Sequence, residues 1–351
     1  MNKLKETVVK YPQTEIWNDS CAEKELLYAI ANGAVGATTN PVIVYHVLKS
    51  ELNKWELEIK RIVEENPTAS EDDIAWEIIE LLGTTAASSL LDIFHETKGK
   101  RGRISFQVNA KLYNDSKAII KQAVRLANVV ENAQIKVPTS KAGIEAFEEL
   151  TYLGVSINAT VSFTLSQAIA VAEAVERGLN RRLEEGKDIS TMNPVCTLMV
   201  GRLDDYLKAY VDCNDLIVDP ACLEFAGIAV AKKAYRIYQE KGYRTKLLIA
   251  AFRNHHHWSQ FIGGNIILTI PYNWQVRYNQ SSIEIYSRID DEVEKEILSQ
   301  LLTIDEFEKA YATSMPEEEF QYYGAFVRTM NQFLKGYDDL VTIIRAYLLE
   351  K

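Results

Sequence analysis

Lys136 is the residue of this chain whose setting most directly suggests chemistry. It lies in the segment 133–140, which reads AQIKVPTS, between Ile135 and Val137. This is the pattern of a short buried strand. A lysine is rarely buried without a partner, and burial disfavours its ammonium form. Because a neutral amine is a nucleophile, the pattern makes Lys136 a candidate covalent catalyst.

Further polar residues lie in, or directly after, other short apolar runs of the chain. A single buried polar group is usually a satisfied core residue, whereas polar residues from seven successive runs predict a shared site. Together with Lys136, the candidates are Asp19, Asn40, Gln107, Asn158, Thr160, Thr197, Arg202 and Arg253.

The runs that carry these residues alternate with longer amphipathic stretches. Short β-branched runs predict strands, and the amphipathic stretches, such as residues 116–128 and 143–152, predict helices. Eight strands alternating with helices predict an α/β fold, the (β/α)8 TIM barrel, whose active sites lie at the carboxyl ends of the strands. The predicted strands are Thr14–Asp19, Gly36–Thr39, Arg103–Val108, Gln134–Val137, Ser156–Val161, Val195–Val200, Lys246–Ala251 and Asn265–Ile270.

Three segments lie outside the simple alternation of strands and helices. Residues 42–98 form a charge-rich helical insertion between strands two and three, and residues 291–351 form a helical C-terminal extension. No linker rich in proline, glycine or serine separates this extension, so we expect a single domain over residues 1–351 with both segments packed on the barrel. The third segment, Leu179–Asn193, is predicted to be a loop near the rim.

Composition excludes several classes of protein. The 351 residues carry a net charge of −10, which argues against a nucleic-acid partner. No apolar run approaches the length of a membrane span, and the N-terminal stretch lacks an apolar signal region. The four cysteines have no CxxC spacing and are expected to be reduced thiols. We therefore expect a cytoplasmic protein that binds neither nucleic acid nor membrane.

Five motifs follow one another in unbroken order between roughly residues 14 and 275. They are GATTNP (36–41), IKVPTS (135–140), NAT with FTLSQA (158–168), VGR (200–202) and FRN (252–254). In this order they resemble the transaldolase family, the Schiff-base aldolases of the pentose phosphate pathway and carbohydrate metabolism. The resemblance implies a sugar phosphate as substrate, and no cofactor or metal, because an iminium itself accepts the electrons.

The resemblance also implies roles for matching residues. Lys136 would form the imine with a ketose, and Asp19 would act as general base and acid at its C4 hydroxyl. Thr160 would position the water that is lost or added. We predict catalytic roles for Lys136, Asp19, Thr160 and Gln107, and substrate-binding roles for Asn40, Asn158, Thr197, Arg202 and Arg253.

Three departures from the family pattern keep alternatives open. Gln107 stands where transaldolases carry a glutamate; the fructose-6-phosphate aldolase branch has glutamine there, but also a tyrosine where this chain has Met199. Ala251 stands where transaldolases commonly carry a serine.

The prediction is a transferase that moves a dihydroxyacetone unit from a ketose phosphate to an aldose. The alternatives are a lyase of the fructose-6-phosphate aldolase type and a non-catalytic sugar-phosphate-binding barrel.

Structural interpretations compete with some of these roles. Lys136 could be a buried ion-pair partner, Asp19 could cap a helix beginning at Ser20, and Arg202 could pair with a neighbouring aspartate. The run of histidines at 255–257 suggests a metal, but adjacent side chains point in different directions, so we predict no metal site.

Since relatives in the transaldolase family form dimers or larger rings, we expect a homo-oligomer.

Overall fold

The structure, a computed structural model, describes residues 2–349 as a closed barrel of eight parallel strands. The strands follow one another around the barrel in chain order, and the first pairs with the last. This confirms the predicted (β/α)8 fold. The strands are β1 (Glu15–Asn18), β2 (Ala34–Thr38), β3 (Arg103–Gln107), β4 (Ala133–Pro138), β5 (Ile157–Ser162), β6 (Val195–Leu198), β7 (Lys246–Ile249) and β8 (Ile267–Ile270).

All eight predicted strands are present, and each end lies within two residues of its predicted position. Their residues are buried, with Val35 and Lys246 as the partly exposed exceptions. Parallel strands covered on both faces read as nearly continuous apolar runs. That is why sequence pattern located them, and why a lysine inside one of them was informative.

Seventeen α-helices within residues 2–349 surround the barrel, together with 3₁₀ helices at Ala110–Leu112 and Glu317–Tyr322. The first nine are α1 (Lys3–Lys10), α2 (Glu23–Ala31), α3 (Pro41–Ser50), α4 (Leu52–Glu65), α5 (Glu71–Ser88), α6 (Leu91–Glu96), α7 (Ser116–Ala127), α8 (Lys141–Tyr152) and α9 (Leu165–Glu184). The others are α10 (Val200–Cys213), α11 (Pro220–Leu223), α12 (Ala226–Lys241), α13 (His256–Ser259), α14 (Tyr272–Gln280), α15 (Lys295–Leu301), α16 (Asp305–Tyr311) and α17 (Gly324–Leu349). No helix in this part of the chain is long and apolar enough to cross a membrane.

The predicted helical insertion is present as α3 to α6, and the predicted C-terminal extension as α15 to α17; its last two residues lie outside the described range. The prediction for 179–193 was wrong. Its first part belongs to α9, and the remainder lies at the amino ends of the strands, opposite the predicted site. There Thr191 accepts a hydrogen bond from Arg103 at 2.9 Å, and Asn193 accepts one from Gln134 at 2.6 Å.

Three of the sequence motifs begin helices directly after strands. Asn40 caps α3, whose first residue is Pro41, and Ser140 caps α8. Thr164 and Gln167 form a capping box at the start of α9. Gln167 also donates hydrogen bonds to backbone carbonyls that follow β4 and lie in β5. These motifs therefore fix the chain where strands become helices, in addition to any chemistry.

The C-terminal helix α17 packs on α3 and α10, which both begin at carboxyl ends of strands. Its approach to α3 depends on Gly336, because a β-carbon there would lie 2.7 Å from Val42 Cγ2 and 3.0 Å from Val42 Cα. Phe333, one turn earlier, is fully buried. The helix is therefore seated against the end of the barrel that carries the predicted site.

Gly336→Ala tests this seating. An alanine normally stabilises a helix interior by about 1 kcal/mol relative to glycine, but here overpacking against Val42 should outweigh that gain and cost about 1–3 kcal/mol. We expect a lower thermal unfolding midpoint. Asn331→Ala, at an exposed position of the same helix, should leave the midpoint unchanged or raise it. A Gly336→Ala variant at least as stable as the wild type would contradict the close packing.

Candidate active site

Lys136 reaches across the barrel interior. From β4 its Nζ donates to the carbonyl of Thr39 after β2 at 3.4 Å, passing the intervening strand β3. The side chain is 1% exposed. It forms no ion pair with a carboxylate in residues 2–349. Burial lowers the pKa of Lys136 to about 8; the charge of Asp19 opposes this shift and that of Arg202 adds to it. The ion-pair interpretation of this lysine is therefore wrong.

Asp19 follows β1 at the mouth of the barrel. Its Oδ1 accepts a hydrogen bond from Thr38 Oγ1 at 2.7 Å, and that hydroxyl also lies 2.7 Å from Thr269 Oγ1 on β8. Burial raises the pKa of this carboxyl, while Lys136, the Thr38 hydroxyl and two arginines lower it. Asp19 does not cap a helix, because α2 begins later and its N-cap has no side-chain bond. The carboxylate is thus free for chemistry.

A cleft leads from the surface to Asp19. It has a volume of about 660 Å³ and runs between α2, α3 and the start of α14. Its lining includes Ile43, His46, Tyr272 and Asn273. Asp19 is partly exposed in this cleft, although protein atoms surround most of the residue. The cleft gives a small polar molecule a route towards the carboxylate.

Two hydroxyl groups hold the side-chain amide of Asn158. On β5 it pairs in register with Lys136 on β4. Its Nδ2 donates to Ser105 Oγ at 3.0 Å, and its Oδ1 accepts from Thr197 Oγ1 at 2.6 Å. Thr197 thus orients Asn158. Sequence analysis missed Ser105, although its position two residues before Gln107 places both on one face of β3.

Gln107 and Thr160 are buried polar residues with unused hydrogen-bonding atoms. Gln107 is the register partner of Lys136 on β3, and Thr160 lies two residues beyond Asn158 on β5. Both atoms of the Gln107 amide and the Thr160 hydroxyl have no partner in residues 2–349. Such groups are rare in folded proteins because each costs free energy. Their position beside the amine is what a bound water or substrate hydroxyl would require.

Asn40 combines a structural role with an unused donor. Its Oδ1 accepts from the backbone N–H of Ile43 at 3.0 Å, which caps α3. Its Nδ2 donates to no residue in the described part of the chain. The amide can therefore hold α3 in place and still present one donor group at the mouth.

Arg202 lies in the first turn of α10, where the N-cap residue Met199 makes no capping bond. Its guanidinium donates to Gln332 and lies 5.4 Å from the Phe333 ring centroid on α17. Burial lowers the pKa of Arg202 to about 10, and the nearby Arg253 adds to this effect. An uncapped helix N-terminus beside guanidinium groups favours an anion.

The alternative interpretation, in which Arg202 pairs with a neighbouring aspartate, is wrong. Asp205 instead binds Arg253, whose Nε donates to Asp205 Oδ2 at 2.9 Å and whose Nη2 lies 2.9 Å from the same oxygen. Asp204 binds His257, whose Nε2 lies 2.8 Å from Asp204 Oδ2 while its Nδ1 accepts from the Arg253 backbone N–H at 3.0 Å. Sequence analysis assigned His257 no role. The structure shows that it fixes the chain at Arg253.

The histidine run does not converge on one point. His257 turns inward to Asp204, whereas the ring of His256 lies 4.7 Å from that of Phe225. Burial lowers the pKa of His256 to about 4. Within residues 2–349, no group of three or more histidine, cysteine, aspartate or glutamate side chains is arranged to hold a metal ion.

Two non-glycine residues at this end of the barrel have positive φ. Val161 has φ of 59°, at a register irregularity between β5 and β6, and Ala251 has φ of 65° just after β7. Positive φ is costly for any β-branched residue. Val161 directly follows Thr160, and Ala251 precedes Arg253 by two residues. The strained backbone therefore lies where candidate side chains are positioned.

Thr197→Val tests whether the hydroxyl orients Asn158. The change preserves shape but leaves Asn158 Oδ1 unpaired, so we expect about 1–2 kcal/mol of lost stability and about tenfold slower adduct formation between Lys136 and a ketose in the presence of borohydride. The control is Thr245→Val, because the Thr245 hydroxyl is also buried but has no hydrogen-bond partner among the described residues. If both variants behave alike in thermal unfolding and adduct formation, the assigned role of Thr197 fails.

Comparison with known proteins finds a family model and relatives that match most of the chain. The family model described as "Transaldolase/Fructose-6-phosphate aldolase" matches residues 16–333. A "Transaldolase 2" of Streptomyces avermitilis is 32% identical over 211 residues, which cover 58% of this chain and 55% of the relative. A "Transaldolase" of Thiobacillus denitrificans is 30% identical over 211 residues, covering 60% and 58%. A "Transaldolase" of Neisseria meningitidis is 28% identical over 240 residues, covering 66% and 65%. The chain thus spans roughly 55–65% of the length of these curated relatives.

Proposed function

Because the chain belongs to the transaldolase/fructose-6-phosphate aldolase family, we propose that it transfers a dihydroxyacetone unit from a ketose phosphate to an aldose through a Schiff base on Lys136. The observation that carries this proposal is the buried amine of Lys136, which lacks an ion pair and has a pKa lowered to about 8. A substantial neutral fraction near neutral pH supplies the nucleophile.

The carbon–carbon step uses Lys136 and Asp19. The Lys136 lone pair attacks the ketose carbonyl carbon, and the former carbonyl oxygen takes one proton from the amine nitrogen and one from the Asp19 carboxyl, so that it leaves as water and an iminium remains. Asp19 then accepts the proton of the C4 hydroxyl while the C3–C4 bond breaks. The bonding electrons move into the enamine, and an aldehyde leaves. The reverse sequence adds an acceptor aldehyde, with Asp19 returning its proton.

Gln107 and Thr160 position the water of the reaction. Their unpartnered polar atoms support a site for the water released when the iminium forms and added when it is hydrolysed. Neither side chain is a strong acid or base, so they can orient this water without removing its proton. Asp19 is then the one carboxyl group assigned to the proton transfers.

Substrate binding divides between two groups of residues. Asn158, fixed by two hydroxyls, and Asn40, with its unused donor, are suited to hydroxyl groups of the donor sugar. Arg202 and Arg253 are suited to its phosphate, through charge-assisted bonds. Arg253 is paired with the Asp205 carboxylate. A phosphate that binds to Arg253 would therefore share its guanidinium with this carboxylate or displace the carboxylate.

A lyase of the fructose-6-phosphate aldolase type is the second candidate. The observation that favours it is Gln107, which cannot take a proton from water as a glutamate could. In that reaction the enamine carbon is protonated, and water then hydrolyses the resulting iminium, which releases free dihydroxyacetone without an acceptor and restores the Lys136 amine. The two candidates share every step up to carbon–carbon cleavage.

Three broader attributes belong to the same proposal. The seating of α17 against α3 and α10 supports one domain that includes the C-terminal extension. Four free cysteines support a reducing, cytoplasmic location. Homo-oligomerisation rests on the family alone.

Borohydride trapping with fructose 6-phosphate tests the proposed function. We expect a covalent adduct on Lys136, located by peptide mass spectrometry and absent from Lys136→Met. Lys232 provides an internal control: it is buried and its pKa is also lowered to about 8 by burial, but its Nζ is occupied by Gln260 and two carbonyls. It should remain unmodified.

Product analysis separates the candidates. A transferase should form sedoheptulose 7-phosphate when erythrose 4-phosphate is added and release little dihydroxyacetone without it. A lyase should release dihydroxyacetone without an acceptor. If no adduct forms with fructose 6-phosphate or other ketoses, the enzymatic proposal fails in favour of a sugar-phosphate-binding protein.

A further inference from the structure

Helix α17 presents two polar side chains to the cluster of guanidinium groups at the mouth. Gln332 accepts a hydrogen bond from Arg202, and Arg328 Nη1 donates to the backbone carbonyl of Asp205 at 3.1 Å. Residues four apart on a helix lie on the same face. The C-terminal extension therefore contacts α10 at Arg202 and at Asp205, and the Asp205 carboxylate pairs with Arg253.

The cluster has more cations than carboxylates to pair with them. Within residues 2–349, the Asp205 carboxylate binds Arg253 and no other arginine, while Arg328 contacts the Asp205 backbone carbonyl. The side chain of Asp204 is directed to His257 and to the Gly227 N–H. Arg202 has the neutral Gln332 amide as its side-chain partner. This excess of positive charge suits a dianion such as a phosphate monoester.

Arg328 is free to move within this cluster. Its side chain is exposed, and one hydrogen bond to a backbone carbonyl leaves its other N–H groups without a partner in residues 2–349. Such an exposed bond contributes little to stability. Its guanidinium can therefore turn towards an anion held by its neighbours at low cost.

We infer that Arg328 is a specificity-determining residue, which joins Arg202 and Arg253 in holding the phosphate of the substrate. This inference rests on the proposed function for the identity of the substrate. On binding, Arg202 exchanges the Gln332 amide for a phosphate oxygen, and Arg328 turns from the Asp205 carbonyl to the same group. The C-terminal helix thereby makes the site prefer a phosphorylated ketose over a neutral one.

The test compares a charged and an uncharged ketose. The half-saturating concentration for borohydride adduct formation on Lys136 is measured with fructose 6-phosphate and with fructose. Arg328→Ala should raise this concentration about tenfold for fructose 6-phosphate, the loss expected for one charge-assisted hydrogen bond, and leave it within about twofold for fructose. Arg328→Lys should recover part of the loss.

Arg345→Ala is the matched control. Arg345 is an exposed arginine on the same helix, but it pairs with Glu71 away from the cluster. This variant should match the wild type with both sugars. Should Arg328→Ala keep the wild-type preference for the phosphorylated sugar, or should both sugars be affected equally, the inference is overturned while the proposed function stands. If the wild type forms no adduct with either sugar, both fall together.

Discussion

Desolvation of the Lys136 amine is the constraint on which the rest of the site depends. Burial in the barrel disfavours the ammonium form and lowers the pKa of Lys136 from its ordinary 10.5 to about 8. Because the folded state binds this proton less tightly than the unfolded state, the lysine reduces stability as pH falls from about 10.5 to about 8, and the full cost persists below that range. Asp19 limits the shift without forming an ion pair, so the amine stays available.

Buried polar groups have different surroundings at the two ends of the barrel. At the amino ends, Arg103 donates three hydrogen bonds to backbone carbonyls, and Asn132 donates two. At the carboxyl ends, Gln107 and Thr160 have no partner within residues 2–349, and Val161 has positive φ. Unpartnered polar atoms also occur at the amino ends, in Asn132 and Thr245, but these residues directly precede strands and lie away from the carboxyl-end site. The unpartnered groups that neighbour Lys136 in the barrel, together with the strained backbone, therefore mark the carboxyl end as functional.

Sequence reasoning found what local pattern determines and missed what tertiary packing determines. Strands and Lys136 were predictable because buried parallel strands read as apolar runs, in which a lysine is conspicuous. The bonds of Asn158 to Ser105 and Thr197 join residues 53 and 39 positions apart, and no local signal encodes them. The same holds for the His257–Asp204 pair and the pairing of Asp205 with Arg253 instead of Arg202. The surface on which α17 packs, and hence the part played by Arg328, depends on the whole barrel.

The most direct measurement is the pH dependence of adduct formation between Lys136 and dihydroxyacetone, in the wild type and in Asp19→Asn. The neutral amine reacts, so the rate should rise with pH through a midpoint near the lowered Lys136 pKa of about 8. Removing the Asp19 carboxylate removes an interaction that favours the ammonium form, so the midpoint should fall in the variant. A wild-type midpoint near 10.5, or a midpoint that rises when Asp19 is neutralised, would contradict the claim that desolvation makes Lys136 reactive.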